Sequence, residues 1–106
     1  MNPNESKPLY EDNKIKIGYF QNSAEDHTMI IKESNMQFIL QRGVLEELSK
    51  TSRDRLIDKL SAIDPMFPHL LDERKISQDY LQIVLAQAHI NEINQYVESL
   101  EISKNR

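Results

Sequence analysis

The sequence contains no cysteine and no tryptophan, and only two of its 106 residues are glycine. Without cysteine the chain forms no disulfide, no thiolate zinc site and no iron–sulfur cluster, and it has no cysteine nucleophile. The two isolated glycines, Gly18 and Gly43, exclude a glycine-rich phosphate-binding loop. Cysteine-free chains are compatible with a reducing compartment, and we therefore expect a cytoplasmic protein.

Long apolar runs are also missing. No run approaches the roughly 18 residues that a membrane-spanning helix needs, so we expect no membrane association. The first residues, MNPNESKPLYEDNK, lack the basic and then apolar pattern of a secretory signal peptide. A chain of 106 residues is long enough to bury a core of its own, and its length predicts a single domain.

Groups of residues that carry catalytic or metal chemistry are sparse. The three histidines form no HExxH motif, and the chain has no GxSxG nucleophile elbow. His89 and Glu92 are three residues apart in a predicted helix and could form a metal half-site, but we interpret them as a polar pair on the helix. We therefore predict no catalytic residue, no metal ligand and no cofactor, and we expect that the protein is not an enzyme.

Charge is distributed unevenly along the chain. There are 17 acidic and 13 basic residues, a formal net charge of −4, and the segment 77–101 contains no lysine or arginine. This argues against extensive nucleic-acid binding, which needs lysine and arginine to replace counterions. The best case for a DNA-binding alternative is the segment 51–63, with Arg53, Arg55 and Lys59.

The N-terminal part predicts a leader and a hairpin. Residues 1–13 are polar, contain two prolines, and are expected to form a flexible leader. The alternation in KIKIGYF (14–20) is typical of a half-buried strand, and HTMIIKE (27–33) is expected to return as the second strand of a hairpin.

The segment 34–50 allows two interpretations. Ser34 followed by Gln37 fits a capping box, and apolar residues four apart then favour one helix over the whole segment, which is the interpretation we adopt. In the alternative, a strand runs to Arg42 and a helix starts near Gly43, because glycine is unfavourable inside a helix.

Two further helices are predicted more clearly. Residues 51–63 have an apolar face, a capping box formed by Thr51 and Asp54, and an end enforced by Pro65. Residues 77–102 contain no proline or glycine, and Ser77 is a good N-cap. That helix would be about 37 Å long. Residues 103–106 are expected to form a tail.

The last predicted helix, residues 77–102 (α4 in the structure below), carries a heptad-like stripe, which we call the α4 seam. Its members lie 3, 4, 3, 4 and 3 residues apart: Ile83, Ala86, Ile90, Ile93, Val97 and Leu100. This spacing is typical of the a and d positions of a coiled coil. We expect the first half of the helix to be buried nearly all round and the second half to present the narrow seam. The seam packs either inside the protein or against a second copy or another partner.

The connector DPMFPHLLDERK (64–75) combines two prolines with four large apolar residues, which are Met66, Phe67, Leu70 and Leu71. The spacing of Phe67, Leu70 and Leu71 predicts one short helical turn with an apolar edge, and Pro68 can lie in its first turn. That edge is either a lid over the helical core or an exposed anchor for a partner.

Together these features predict a helix-dominated α+β fold, with residues 14–102 as one globular domain. A short N-terminal β-hairpin precedes two or three helices and the long C-terminal helix. The function we expect is that of a small protein–protein interaction module, such as an adaptor, inhibitor or regulator, that forms a homodimer through its C-terminal helix. A dimeric DNA-binding regulator and a small enzyme or metal-binding protein are the alternatives.

Overall fold

A computed structural model describes residues 7–22 and 25–104, with the side chains of the last helix described as far as Glu101. Four strands form one antiparallel sheet in the order in which they follow each other: β1 (Tyr10–Glu11), β2 (Ile15–Tyr19), β3 (His27–Ile31) and β4 (Gln37–Leu40). Four helices follow: α1 (Val44–Lys50), α2 (Arg53–Ile63), α3 (Met66–Glu73) and α4 (Gln78–Lys104). The predicted helix-dominated α+β fold is confirmed.

The inner face of the sheet forms one wall of the core. The predicted hairpin is β2 and β3, in which Ile15 lies opposite Ile31 and Ile17 lies opposite Met29. Met29 in turn lies opposite Phe38 of β4. Because side chains alternate between the two faces of a strand, these residues all point inward and are buried, as the alternation in the sequence predicts.

Part of the predicted flexible leader is ordered, so that prediction is wrong from Leu9 onward. Leu9 is fully buried, and Tyr10 and Glu11 pair with β2. The carboxylate of Asp12 accepts hydrogen bonds from the backbone N–H groups of Lys14 and Ile15, at 2.7 and 2.9 Å, and so closes the turn between the two strands. A strand of two residues is too short to produce a periodic pattern. Residues 1–6 of the predicted leader lie outside the described residues.

The single helix predicted over residues 34–50 is wrong, and the alternative of a strand followed by a helix is correct. Ser34 lies in the turn after β3, where its hydroxyl accepts the N–H of Met36 instead of capping a helix. Gly43 has a φ of 87°, in the left-handed region that glycine adopts most readily, and α1 begins directly after it. The chain therefore changes direction at Gly43.

The second helix ends as predicted but does not begin as predicted. Asp64 is extended before Pro65, and α2 ends at Ile63. The predicted capping box is wrong, because the N-cap of α2 is Ser52, without a side-chain cap bond, and the Thr51 hydroxyl donates to the carbonyl of Glu47. Thr51 thus closes α1 rather than opening α2.

The connector forms a short helix, α3, which is longer than the predicted single turn. It ends in a Schellman motif: the N–H of Ile76 donates to the carbonyl of Leu71 at 2.8 Å, and that of Lys75 donates to the carbonyl of Asp72 at 3.0 Å. Lys75 holds the left-handed position of this motif, with a φ of 58°. Ile76 is buried beside the core and leads the chain into α4.

The last helix is the longest element and projects from the domain. Ser77 is its N-cap, as predicted, and its hydroxyl accepts the N–H of Tyr80 at 3.1 Å. The 27 residues of α4 correspond to about 40 Å. The helix continues to Lys104, so the predicted tail is helical as far as that residue. The molecule measures 48 × 27 × 22 Å, which reflects this projection. None of the helices in the described part of the chain is long and apolar enough to cross a membrane.

Candidate interaction surface

The α4 seam lies on the surface. The exposed fractions of its five large side chains range from 46% for Val97 to 69% for Ile83. The others are Ile90, Ile93 and Leu100, and Tyr96 beside them is also exposed. Single exposed apolar residues are common on protein surfaces, but a continuous row of them along one helix is a feature of interaction sites.

The face of α4 opposite the seam packs on the core. Its buried members are Leu81, Val84, Leu85 and Ala88. Successive helical residues are rotated by about 100°, which places this buried stripe and the seam on roughly opposite sides of the helix. The prediction that the first half is buried nearly all round is therefore wrong. One face of that half is covered by the domain, and Ile83 on the other face is the most exposed residue of the seam.

Polar contacts also hold the inner side of α4 against the domain. The amide of Asn91 donates to the carbonyl of Leu9 at 2.6 Å, and the amide of Gln82 donates to the carbonyl of Thr51 at 3.0 Å. The Tyr80 hydroxyl donates to the carboxylate of Asp12. These bonds join α4 to the N-terminal strand and to the end of α1. They fix the rotation of the helix, and so they fix the seam on the outside.

The residues that flank the seam are almost free of charge. With Ile83, Ile90 and Val97 at a positions, the flanking e and g positions from residue 87 to residue 96 contain no aspartate, glutamate, lysine or arginine. They are Gln87, His89, Asn94 and Tyr96. The first carboxylate at a flanking position is Glu101, near the end of the described side chains. Association through the seam therefore meets little electrostatic resistance.

A carboxylate on the inner side of α4 links two histidines. Glu92 contacts Nε2 of His27 in β3 through one oxygen, and its other oxygen lies 3.2 Å from Nδ1 of His89. His27 is buried, and the Tyr19 hydroxyl beside it donates to Gln95 at 3.1 Å. Burial, and then the charge of Glu92, raise the pKa of Tyr19.

The contact between Glu92 and His27 joins α4 to strand β3. In the described residues, no group of three or more potential ligands is arranged to hold a metal ion. The spacing in the sequence indicated that His89 and Glu92 could pair, but nothing in the sequence indicated that His27 also contacts Glu92. That contact spans 65 residues and depends on how β3 and α4 pack.

The structure divides the four connector residues, for which a lid and an exposed anchor were the two hypotheses, between the core and the surface. Phe67, Leu70 and Leu71 belong to the buried core, and the Phe67 ring stacks on Phe38 with 3.9 Å between ring centroids. The anchor hypothesis is therefore wrong for these three residues, and the alternative of a lid is correct. Only Met66 remains exposed, at 44%.

The basic residues considered for DNA binding are largely paired with acids. Arg53 lies 3.2 Å from Asp79, and Lys59 lies 2.5 Å from Glu47. These ion pairs reduce the positive potential of α2, although all four side chains are substantially exposed.

Comparison with protein-family models, curated proteins and solved structures found no match to this chain.

Proposed function

We propose that this protein is a small non-catalytic protein–protein interaction module that self-associates by pairing the α4 seams of two copies. The observation that supports this most directly is the row of exposed apolar side chains on the face of α4 that points away from the core. The cytoplasm is the compartment we propose for it, in keeping with its cysteine-free sequence.

The spacing of the seam suits pairing with another helix. From Ile83 to Leu100 it extends over about 26 Å and nearly three heptads. A strict seven-residue apolar repeat drifts around a straight helix, so two such helices remain in contact by winding into a left-handed supercoil. The seam is already exposed in the monomer, and pairing therefore requires no element to detach from the core.

The flanking residues favour a second copy over a different partner. Coiled coils that select a partner use charged residues at the e and g positions. Here Gln87, Asn94 and Tyr96 carry no such charge, so a partner helix with charged e and g positions gains little binding energy from pairing with them. Two identical copies meet without like-charge repulsion over most of the seam. A homodimer is therefore the assembly that these side chains support best.

The experiment is the molar mass in solution, measured by light scattering on a sizing column over a range of concentrations. The chain has a mass of 12.4 kDa, and we expect a species of twice that mass. The double variant Ile93→Asp with Val97→Asp is expected to be a folded monomer, because two carboxylates per copy then face each other in an apolar interface.

A matched pair of single variants separates the seam from a general effect of charge. Val97→Asp and Ser99→Asp place the same charge in the same turn of α4, and both positions are exposed. Only Val97 belongs to the seam. We expect Val97→Asp to weaken the dimer and Ser99→Asp to leave it intact. A wild-type protein that stays monomeric at every concentration, or equal effects of the two variants, would contradict the proposal.

A further inference from the structure

A basic cleft lies on the side of the domain where three turns meet. It has a volume of about 300 Å³. Its lining comes from the β1–β2 turn, the β3–β4 turn and the end of α3: Asn13, Lys14, Lys32, Glu33, Arg74 and Ile76. These residues are far apart in the sequence, and nothing in the sequence pattern indicates that they meet. The cleft does not involve the α4 seam.

Three cations face one acid across this cleft. Each cation is held in place by the protein. The Nζ atom of Lys14 lies 5.5 Å from the ring centroid of Tyr80, and that of Lys32 lies 2.8 Å from a carboxylate oxygen of Glu11. A guanidinium nitrogen of Arg74 donates to the backbone carbonyl of Glu33 at 2.6 Å. The charges are therefore positioned before any ligand arrives.

Two of these cations, Lys14 and Arg74, can still pair with an anion. Within residues 7–22 and 25–101, no carboxylate forms an ion pair with Lys14 or Arg74. The Nε of Arg74 is buried and has no acceptor among the described residues. Buried donors in folded proteins are nearly always satisfied by a protein group or by an ordered water molecule, so Arg74 has one N–H left for a water molecule or a ligand.

The backbone around the cleft is strained at two positions. Glu33 and Lys75 have φ angles of 67° and 58°. These lie in the left-handed region, which residues other than glycine and asparagine seldom adopt. Glu33 lines the cleft, and Lys75 lies between the lining residues Arg74 and Ile76. Lys75 holds the left-handed position of the Schellman motif that ends α3, and Glu33 lies in the turn after β3, so the backbone on these two sides of the cleft has a fixed path.

We propose that this cleft binds a phosphate group through Lys14, Lys32 and Arg74. A phosphate group supplies the oxygen acceptors that a guanidinium and two ammonium groups require. Because Lys32 is already paired with Glu11, most of the attraction for the phosphate charge comes from Lys14 and Arg74. The volume is at the lower end of the range for small-molecule sites. It suits inorganic phosphate or a phosphate ester with a small organic part.

The test is a titration followed by amide NMR of the full-length protein at about 0.01 M ionic strength, where charge interactions are little screened. The probes are inorganic phosphate, glycerol phosphate and acetate. We expect saturable shifts confined to residues 13–14, 32–33 and 74–76. Tighter binding of glycerol phosphate identifies an ester as the ligand, and equal binding identifies phosphate itself. Shifts spread over the whole surface, or acetate binding as tightly as phosphate, would overturn the proposal.

Variants connect the titration to the cleft. Lys14→Gln with Arg74→Gln is expected to weaken phosphate binding by at least about tenfold, and Glu33→Gln is expected to strengthen it. Lys59→Gln removes one positive charge, as Lys14→Gln alone does, but it lies on α2, and we expect less than about a twofold effect because the interaction is remote and partly screened. If Arg74→Gln disturbs the fold, the phosphate affinity of the single variant Lys14→Gln, at an exposed position, tests the site on its own. An equal loss of affinity in Lys14→Gln and Lys59→Gln would refute the site.

Discussion

Two sets of apolar side chains with the same helical spacing have opposite positions in this molecule. The α3 set consists of Phe67, Leu70 and Leu71, which are buried, and the α4 seam is exposed. Both sets show spacings of three and four residues. What differs is the surrounding structure. The α3 set faces the sheet through Phe38, whereas the seam lies on the side of α4 that faces away from the domain. Spacing identifies an apolar face, but the neighbouring elements decide whether it is covered.

The largest effect that we expect comes from the α3 set. Phe67→Ala should lower the free energy of unfolding by about 3–5 kcal/mol, because it removes a fully buried ring and leaves a cavity against Phe38. Denaturant unfolding of the monomer measures this loss. The neighbouring Met66→Ala, at an exposed position of the same helix, should cost well under about 1 kcal/mol. Similar losses in both variants would show that α3 does not cover the core as described.

The second prediction applies the same comparison to the two faces of α4. Leu85→Ala should destabilise the monomer by about 2–5 kcal/mol, because Leu85 is fully buried on the inner face. Leu100 belongs to the seam, and Leu100→Ala should therefore change the free energy of unfolding of the monomer by no more than about 0.5 kcal/mol.

Both Leu85→Ala and Leu100→Ala are to be measured in the Ile93→Asp and Val97→Asp background, so that self-association does not contribute. A large loss from Leu100→Ala in that background would mean that the seam is part of the core.

A smaller effect, dependent on pH, concerns the contact that holds the first half of α4. Burial acts to raise the pKa of Asp12, but hydrogen bonds from Tyr10 and from the amides of Lys14 and Ile15 more than offset it and leave the pKa below its ordinary value. Since the pKa is lower in the folded state than in the unfolded state, the carboxylate contributes fully to stability above its unfolded pKa. That contribution is lost as the pH falls through the folded pKa.

We therefore expect the stability difference between the wild type and Asp12→Asn to shrink in acid. Denaturant unfolding of both proteins between about pH 6 and pH 2 tests this. A difference that stays constant over that range would show that Asp12 is not the group responsible.

The smallest effect concerns the turn from which the buried α3 and the projecting α4 diverge. Lys75→Gly should raise the free energy of unfolding by up to about 1 kcal/mol, because glycine adopts the left-handed conformation without the clash of a Cβ atom. Thermal unfolding measures the gain. Lys75→Ala removes the same charge but keeps the Cβ atom, and it should give no such gain. Equal stabilisation by both variants would assign the effect to charge instead of conformation.

Local patterns predicted the elements whose signals are contained in neighbouring residues. The strands β2 and β3 follow from alternation, the end of α2 follows from Pro65, and the start of α4 follows from Ser77. The membership of the α4 seam was also readable from its spacing. These features depend on contacts within a few residues, which a sequence displays directly.

Features that depend on distant partners were not predictable in this way. Leu9 and Tyr10 are held by contacts with β2 and α4, which are distant in the sequence. Gly43 separates a strand from a helix where the periodicity allowed one helix. The contact between His27 and Glu92 and the basic cleft have no local signal at all. The sequence could not show which apolar sets are covered, because that depends on which surfaces meet in three dimensions.

The inner face of α4 has a consequence for how the chain acquires its structure during synthesis. All four strands precede Leu81, Val84, Leu85 and Ala88 in the sequence. Until the ribosome has released these residues, the core lacks the inner face of α4, and the apolar side chains that pack against that face remain open to water or to chaperones. The order of translation thus makes stable folding wait for α4. A nascent chain stalled before residue 81 should be far more sensitive to protease than one extended beyond it.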